Sequence, residues 1–376
     1  YKKIENKIKK NSYFYLKKNL TLDEKNKFWS LGEKGLIFEI TQTRIYPHKN
    51  LFSHVLGQID IDNNGISGIE KFYDTDLKKN NNQSIHLSLD TNLQYLIREE
   101  LIKSLSTFQS KGAASLLMDV NTGEILSLIS LPDYNLNLRQ DLKDKNFTNK
   151  ITKGVFELGS IFKTFTLALA IENDLYSPST IIKNIPDKIQ CSKFTINEHD
   201  EMPSDLTLKE ILVRSSNIGT IKVARKLGED KLRNFLEDLN LLNKVNLELD
   251  EIGLPLKFLW NKCKLETVSY GHGITTTPLQ AASAYASITN GGIVVNPTLI
   301  KNKSMNSKTK RIVSLKTSKN INNMLREVVV SADGTASLAE VNGYNVGGKT
   351  GTANKNINGE YTSKKITSFI SVFPTN

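Results

Sequence analysis

The sequence predicts an α+β protein: an antiparallel sheet with a helical block, preceded by a smaller N-terminal unit. Three observations carry that prediction. Two apolar runs, 113–120 and 124–131, are separated by Asn121-Thr122-Gly123, the residue chemistry of a tight hairpin turn. From Ser160 to about Asn290 the pattern is helical, with recognisable start and stop signals. Strand-like runs return at 345–353 and 367–373. Strands, then helices, then strands describe an α+β domain, not a chain of alternating βα units.

Residues 1–82 alternate charge-rich helical pieces with strand-like runs such as Gly35 to Ile40. They end in the polar run Lys78 to Gln83, which reads as a linker or exposed loop and places a boundary near residue 84. A strand is expected at Ile85 to Leu89. Thr91-Asn92-Leu93-Gln94 then reads as a capping box opening a helix to about Leu105. After the hairpin strands, Ser160 to Glu172 is apolar almost all round, as a core helix is. Thr207-Leu208-Lys209-Glu210 is a second capping box, for a helix ending near Arg214. Ile218 to Leu227 is helical again, with Gly228 as its stop. Thr277-Pro278-Leu279-Gln280 opens a further helix, with proline where a first turn tolerates it, and Asn290-Gly291-Gly292 closes it.

Composition narrows the function classes. A chain of 376 residues is two or three domains long, and 39% hydrophobic residues suit a globular protein. No run approaches the roughly 18 apolar residues of a membrane span. The net charge of +11 is assigned to solvated Lys-rich faces, with attraction to an anionic polymer or lipid headgroups as the alternative. Nucleic acid is set aside, because no basic stripe is interleaved with aromatics. Cys191 and Cys263 allow one disulfide at most and lack metal-ligand spacing, so they are structural or free; no metal and no cofactor is expected. The chain opens at Tyr1 without a methionine, so any targeting segment is expected upstream.

Three short motifs carry chemistry. Ser160-Ile161-Phe162-Lys163 opens the core helix, where residues three apart share a face. A serine hydroxyl needs an adjacent base to become a nucleophile, and a lysine amine serves if burial or a neighbouring cation lowers its pKa. The helix start also offers backbone N–H groups to a developing oxyanion. Ser215-Ser216-Asn217 lies in the break between two helices. There it either caps the second helix or places Ser215 to relay protons and Asn217 to hydrogen-bond a peptide carbonyl. Gly348-Lys349-Thr350-Gly351-Thr352 falls on a strand, where glycine marks a close approach and Lys and Thr suit a carboxylate. A phosphate loop is the rival for Gly-Lys-Thr, set aside because its upstream glycine is expected at Val346 and no helix pattern follows. Each motif alone is unspecific. Ser-x-x-Lys, Ser-x-Asn and Lys-Thr-Gly in that order are together the signature of penicillin-binding proteins and class A β-lactamases.

On these residues the chain resembles the class B penicillin-binding proteins, most closely their septal, cell-division branch. The likeness covers nearly everything after Gly35 and includes His54-Val55-Leu56-Gly57, Gly68-Ile69-Glu70-Lys71 and Tyr270-Gly271-His272-Gly273. It implies a non-catalytic pedestal of the dimerisation type over residues 1–84 and a transpeptidase catalytic domain over 85–376. Ser160 would then be the acylated nucleophile and Lys163 its base, with Ser215 and Asn217 relaying protons and positioning substrate. Lys349 would shape the electrostatics. Thr350, Gly351 and Thr352 would bind substrate, and the backbone N–H groups of Ser160 and Thr352 would form the oxyanion hole. The implied substrate is a peptidoglycan stem peptide ending in D-Ala-D-Ala. The implied inhibitors are β-lactams, and the implied partners are division proteins and a glycosyltransferase at the periplasmic face of the inner membrane. Family members carry a membrane helix before this chain's start and a further strand and helix after its end, so an exposed sheet edge and poor solubility are expected of the segment alone. The alternatives are a serine β-lactamase or D,D-carboxypeptidase, and a non-catalytic β-lactam sensor or division scaffold. No catalytic role is assigned to His272, nor any ligand role to His48, His54, His86 or His199, and Glu70 is not paired with Asp333.

Overall fold

The computed structural model describes residues 2–10, 13–79, 84–138, 144, 147–302, 310–357 and 359–375. Residues 80–83 of the polar run lie outside them. The N-terminal part holds α1 (Lys2–Lys10), α2 (Leu22–Trp29), α3 (Ser53–Leu56), α4 (Gly68–Phe72) and α5 (Asp74–Lys79). The strand expected at Gly35 to Ile40 does not form. Ile37 and Ile40 are 72% and 103% exposed, and without a ladder partner an extended apolar run has nothing to pair with. The firmly packed portion of this part is 46–73. Val55 and Ile69 share a cluster with Ile125, Leu128, Leu279 and Leu299, and Tyr46 packs with Tyr134 and Leu136. A buried Glu70 accepts from Arg44 Nη2 at 3.1 Å and Tyr46 Oη at 3.2 Å, a structural role far from any acid–base pair with Asp333.

Next comes α6 (Thr91–Thr107), then β1 (Ala113–Met118) and β2 (Ile125–Leu131), an antiparallel hairpin. The helix begins where expected but by a different cap: Asp90 accepts from the N–H groups of Asn92 and Leu93, both at 2.9 Å. Gln94 is thereby released from the expected capping box. It lies buried against β2, donating to Leu128 O at 2.8 Å and accepting from Leu128 N at 2.9 Å. Residues 85–89 contribute a single bridge, Leu87 to Ile300, instead of a strand.

The helical block opens with a 3₁₀ turn, Gly159–Phe162, that runs into α7 (Lys163–Glu172). Every residue from Lys163 to Ile171 is buried, so α7 is the axis of the core. Around it lie the short strands β3 (Ile181–Ile182), β4 (Lys188–Cys191), β5 (Phe194–Asn197) and β6 (Leu206–Thr207), then α8 (Leu208–Val213), α9 (Asn217–Leu227) and α10 (Glu229–Asp238). They are followed by α11 (Lys264–Ser269), α12 (Pro278–Thr289) and α13 (Leu315–Val330). The capping box expected at Thr207 with Glu210 forms, and Thr277 with Gln280 forms another where only a helix start was expected. Phe165, Leu212, Ile218, Tyr285 and Leu325, from five helices, meet in one cluster. The chain then forms a long hairpin, β7 (Gly347–Ile357) and β8 (Glu360–Val372). The expected sheet is thus divided into two-stranded antiparallel ladders: β1–β2 and β7–β8 are separate, as are β3–β6 and β4–β5. A disulfide joins Cys191 to Cys263, tying the β4–β5 hairpin to the start of α11. Among the described residues no helix is long and apolar enough to cross a membrane.

Candidate active site

Ser160 and Lys163 sit on the 3₁₀ turn and the first position of α7. Tyr285 of α12 supports this turn from the core side, its hydroxyl donating to Ile161 O at 2.7 Å. In front of the turn runs β7, and the contact is backbone against backbone. A Cβ on Gly159, whose φ is +62°, would stand 2.5 Å from Thr352 O. One on Gly351 would stand 2.2 Å from Leu158 O. Glycine is required at both places to let the strand and the turn touch. Gly351, expected to meet substrate, is instead buried in this packing, while Thr352 remains exposed beside the Ser160 turn.

Lys163 is fully buried, and its Nζ donates to Ser215 O and, at 3.0 Å, to Ser215 Oγ. Burial pushes its pKa well below the ordinary lysine value. The positive charge of Lys349 pushes the same way, and the Glu198 carboxylate opposes both. A neutral amine has two N–H groups and one lone pair. With both N–H groups directed at Ser215, the lone pair is left for a hydroxyl on the same helix face, which is where Ser160 stands. Ser215 has a φ of +62°, a left-handed conformation that costs a non-glycine residue about 1–2 kcal/mol and here turns its carbonyl and hydroxyl toward Lys163.

Ser216 is the N-cap of α9, accepting from Gly219 N at 2.9 Å. Asn217, expected to hydrogen-bond a peptide carbonyl, starts α9 directly after the Ser216 cap. Its Nδ2 donates one of its two N–H groups to Asn197 O at 3.1 Å, and its Oδ1 is buried without a partner. Lys349 is buried on β7, its Nζ donating to Thr350 O at 3.0 Å, and desolvation lowers its pKa to about 7. The Thr350 hydroxyl donates to Thr335 Oγ1 at 3.0 Å. Two buried lysines thus face one space, and like charges there disfavour protonating both.

The spacing from Gly343 to Lys349 does fit a phosphate loop. What excludes one is that Gly347–Ile357 is a strand, with no helix after it among the described residues, and that Lys349 Nζ is turned into the protein.

Several residues that no motif announced belong to this neighbourhood. Glu157 accepts from Tyr361 Oη at 2.8 Å and Gly273 N at 3.1 Å, and His272 stacks on Tyr361 with ring centroids 5.0 Å apart. This cluster joins the far end of the β7–β8 hairpin to the loop 270–273 beside Ser160. Arg214 pairs with Asp333 at 2.5 Å, tying the Ser215 turn to the loop that carries Thr335. None of these contacts has a sequence signal, because each joins segments distant in the chain. His54 is elsewhere, its Nε2 3.1 Å from Phe147 O, and burial pushes its pKa down to about 4.

The two lysine shifts make a pH prediction. Acylation of Ser160 needs Lys163 neutral, so its limiting rate should rise with pH along an acid limb lying well below 10.5 and then stay level. Attraction for a ligand carboxylate needs Lys349 charged, so the apparent affinity should weaken as pH passes about 7. Separating the limiting rate from the half-saturating concentration over a pH series checks this. A limiting rate that falls with rising pH would contradict it.

Comparison with known proteins follows the same lines. The family model described as the penicillin binding protein transpeptidase domain matches residues 113–376. A Caulobacter vibrioides protein named probable peptidoglycan D,D-transpeptidase FtsI is 32% identical over 95% of this chain and 62% of its own length. The Escherichia coli K12 peptidoglycan D,D-transpeptidase FtsI is 28% identical, over 97% of this chain and 66% of its own length. The chain therefore spans just under two thirds of these relatives. Penicillin binding protein 3 of Mycobacterium tuberculosis superposes with a TM-score of 0.81 at 25% identity, covering 89% of this chain and 81% of that one. That protein has also been solved with aztreonam and with ampicillin.

Proposed function

The chain belongs to the penicillin-binding protein transpeptidase family, and from that premise we propose that it is a septal, class B serine D,D-transpeptidase acting on peptidoglycan stem peptides. The observation that carries the proposal is the Lys163 amine, buried, held by Ser215 and set on the helix face of Ser160. Lys163 Nζ takes the Ser160 proton as Oγ attacks the carbonyl carbon of the penultimate D-Ala. The oxyanion is held by the N–H groups of Ser160 and Thr352. The tetrahedral intermediate collapses by breaking the peptide C–N bond, and the terminal D-Ala leaves as the amine with a proton returned through Lys163 and Ser215. An amine of a second stem peptide then attacks the ester, forms the crosslinking amide and restores the Ser160 hydroxyl. Lys349, with Thr350, draws the terminal carboxylate of the donor peptide.

In this reading residues 85–376 do the chemistry and residues 1–84 are a pedestal. The reaction belongs at the periplasmic face of the cytoplasmic membrane, with division proteins and a glycosyltransferase as partners. β-Lactams acylate Ser160 because their ring amide stands in for the D-Ala-D-Ala bond.

Labelling the intact protein with a fluorescent penicillin, beside its Ser160→Ala variant, tests this. Stable covalent label on the parent and none on a folded variant is the expected result. Rapid release of the label would point to a hydrolase, and no label on folded parent would sink the acyl-transfer reading.

A further inference from the structure

Glu198 belongs to none of the three motifs, yet its whole carboxylate is directed at the middle one. Oε1 accepts from Ser216 Oγ at 2.6 Å and from Ile218 N at 2.8 Å, and Oε2 accepts from Asn217 N at 2.7 Å. Three consecutive residues therefore donate to one side chain. The preceding residue, Asn197, adds its carbonyl to Asn217 Nδ2 at 3.1 Å. This is not a substitute for a missing helix cap, since Ser216 already caps α9 in the ordinary way through Gly219 N. Glu198 satisfies the two N–H groups that precede it and places a negative charge at the positive end of an 11-residue helix.

The carboxylate is held as firmly as it holds. Glu198 follows directly on β5, whose pairing with β4 runs from Lys188–Asn197 to Cys191–Phe194. Cys191 is bonded to Cys263 at the start of α11, and Cys191 and Ile196 pack on Ile221 of α9. The hairpin is therefore fixed to both helices that flank it, once by packing and once covalently.

We infer that Glu198 is a positioning residue for acylation of Ser160: it fixes the Ser215–Asn217 turn and, through Ser215, the two acceptors that orient the Lys163 amine. The inference rests on the acyl-transfer reading above and adds to it a side chain that touches neither substrate nor nucleophile. A geometric consequence follows from the left-handed backbone of Ser215. A strained residue keeps its conformation only where neighbours over-determine it, and Glu198 grips the three residues that come next. Loosening that grip lets Ser215 relax and turns its carbonyl and hydroxyl away from Lys163. Displacements of about 1 Å in such a constellation cost on the order of 10²-fold in rate.

Electrostatics supply a signature that a merely structural residue lacks. The charged groups acting on Lys163 are Lys349 on β7, which lowers its pKa, and Glu198, which raises it. Arg214, next to the turn, is engaged by Asp333. Neutralising Glu198 therefore lowers the Lys163 pKa further and moves the acid limb of acylation to lower pH, even as the plateau falls.

The test measures second-order acylation of the intact protein by fluorescent penicillin against pH, for the parent, Glu198→Gln and Glu198→Asp. The expected result for Glu198→Gln is a plateau lower by about 10²-fold with its acid limb displaced to lower pH. Glu198→Asp, which keeps the charge, should keep the parental limb and recover part of the rate. A parental rate in Glu198→Gln overturns the inference, and so does a loss of rate with the limb unmoved. If Glu198→Gln gives no cooperative thermal transition, Glu198→Asp decides alone: a lowered plateau on the parental limb supports the inference, and a parental rate overturns it. A parent that takes no label at Ser160 overturns the acyl-transfer reading and this inference with it. A labelled parent with an indifferent Glu198→Gln overturns the inference only.

Discussion

Replacing Lys163 with methionine is expected to slow acylation by penicillin about 10³-fold, within the usual range for losing a general base, while the fold survives with a thermal midpoint within a few degrees of the parent. The activity loss follows from position: the amine is the group that stands on the Ser160 face with a free lone pair, and methionine brings no base. The modest stability effect follows from two opposed terms. Methionine fills the same unbranched volume but leaves Ser215 O and Oγ without their donor, a cost of about 1–3 kcal/mol for each group left unsatisfied. Against that, the parent has its own cost. In the unfolded chain the Lys163 amine has the ordinary lysine pKa, whereas in the folded protein burial and Lys349 push it well down. The unfolded state then binds the extra proton, so the penalty grows as pH falls from 10.5 toward the depressed folded value, and the methionine variant is free of it. Time courses of labelling and thermal unfolding at two pH values measure both halves. A well-folded Lys163→Met that acylates at the parental rate would remove Lys163 from the proposed mechanism. A midpoint that drops more at low pH than at high pH would show the linkage argument to have the wrong sign.

How far the sequence can be read depends on whether the signal is local. Capping boxes are local, and Thr207 with Glu210 and Thr277 with Gln280 formed as their spacing required. Ser160 and Lys163, three residues apart on one helix start, are local too. Thr91 to Gln94 had the right residue types, but Asp90, one place earlier, had an equally good side chain and Gln94 had a buried use on β2. Pattern alone cannot decide between two caps when the deciding contact is tertiary. Gly35 to Ile40 failed for the same reason in reverse, since a strand needs a partner that no run of six residues can specify. The Cys191–Cys263 bond was open from spacing and is settled by the hairpin and α11 coming together. The site shows the limit most clearly. Its three motifs were legible because each is a short string. Glu198, Thr335, Glu157 and Tyr285, which hold those strings in place, lie between 15 and 204 residues from their partners and carry no string of their own.

Gly271→Ala is expected to destabilise the protein by about 2–5 kcal/mol and to reduce acylation by at least about 10²-fold, although residue 271 has no part in the chemistry. Its φ is +86°, a conformation that costs an alanine about 1–2 kcal/mol. Its missing Cβ would lie 2.0 Å from Gly159 O and 2.6 Å from Gly159 C. Those atoms are backbone, so no rotamer change relieves the clash, and overpacking of this kind adds about 1–3 kcal/mol. The strain must be relieved by moving the loop 270–273 or the turn that presents Ser160. Moving the loop carries His272 away from Tyr361 and Gly273 N away from Glu157, and Glu157 is three residues before Ser160. Moving the turn shifts Ser160 against Thr352 directly, because Gly159 is already as close to Thr352 O as a glycine allows. Either way Ser160 shifts relative to Lys163 on the same helix face. Gly343→Ala separates strain from clash: its φ is +85°, but nothing lies within 4 Å of the added methyl. That variant should lose only the conformational term, about 1–2 kcal/mol, and acylate at the parental rate. Equal losses of acylation in the two variants would mean that backbone strain, not the contact between residues 271 and 159, governs the Ser160 turn.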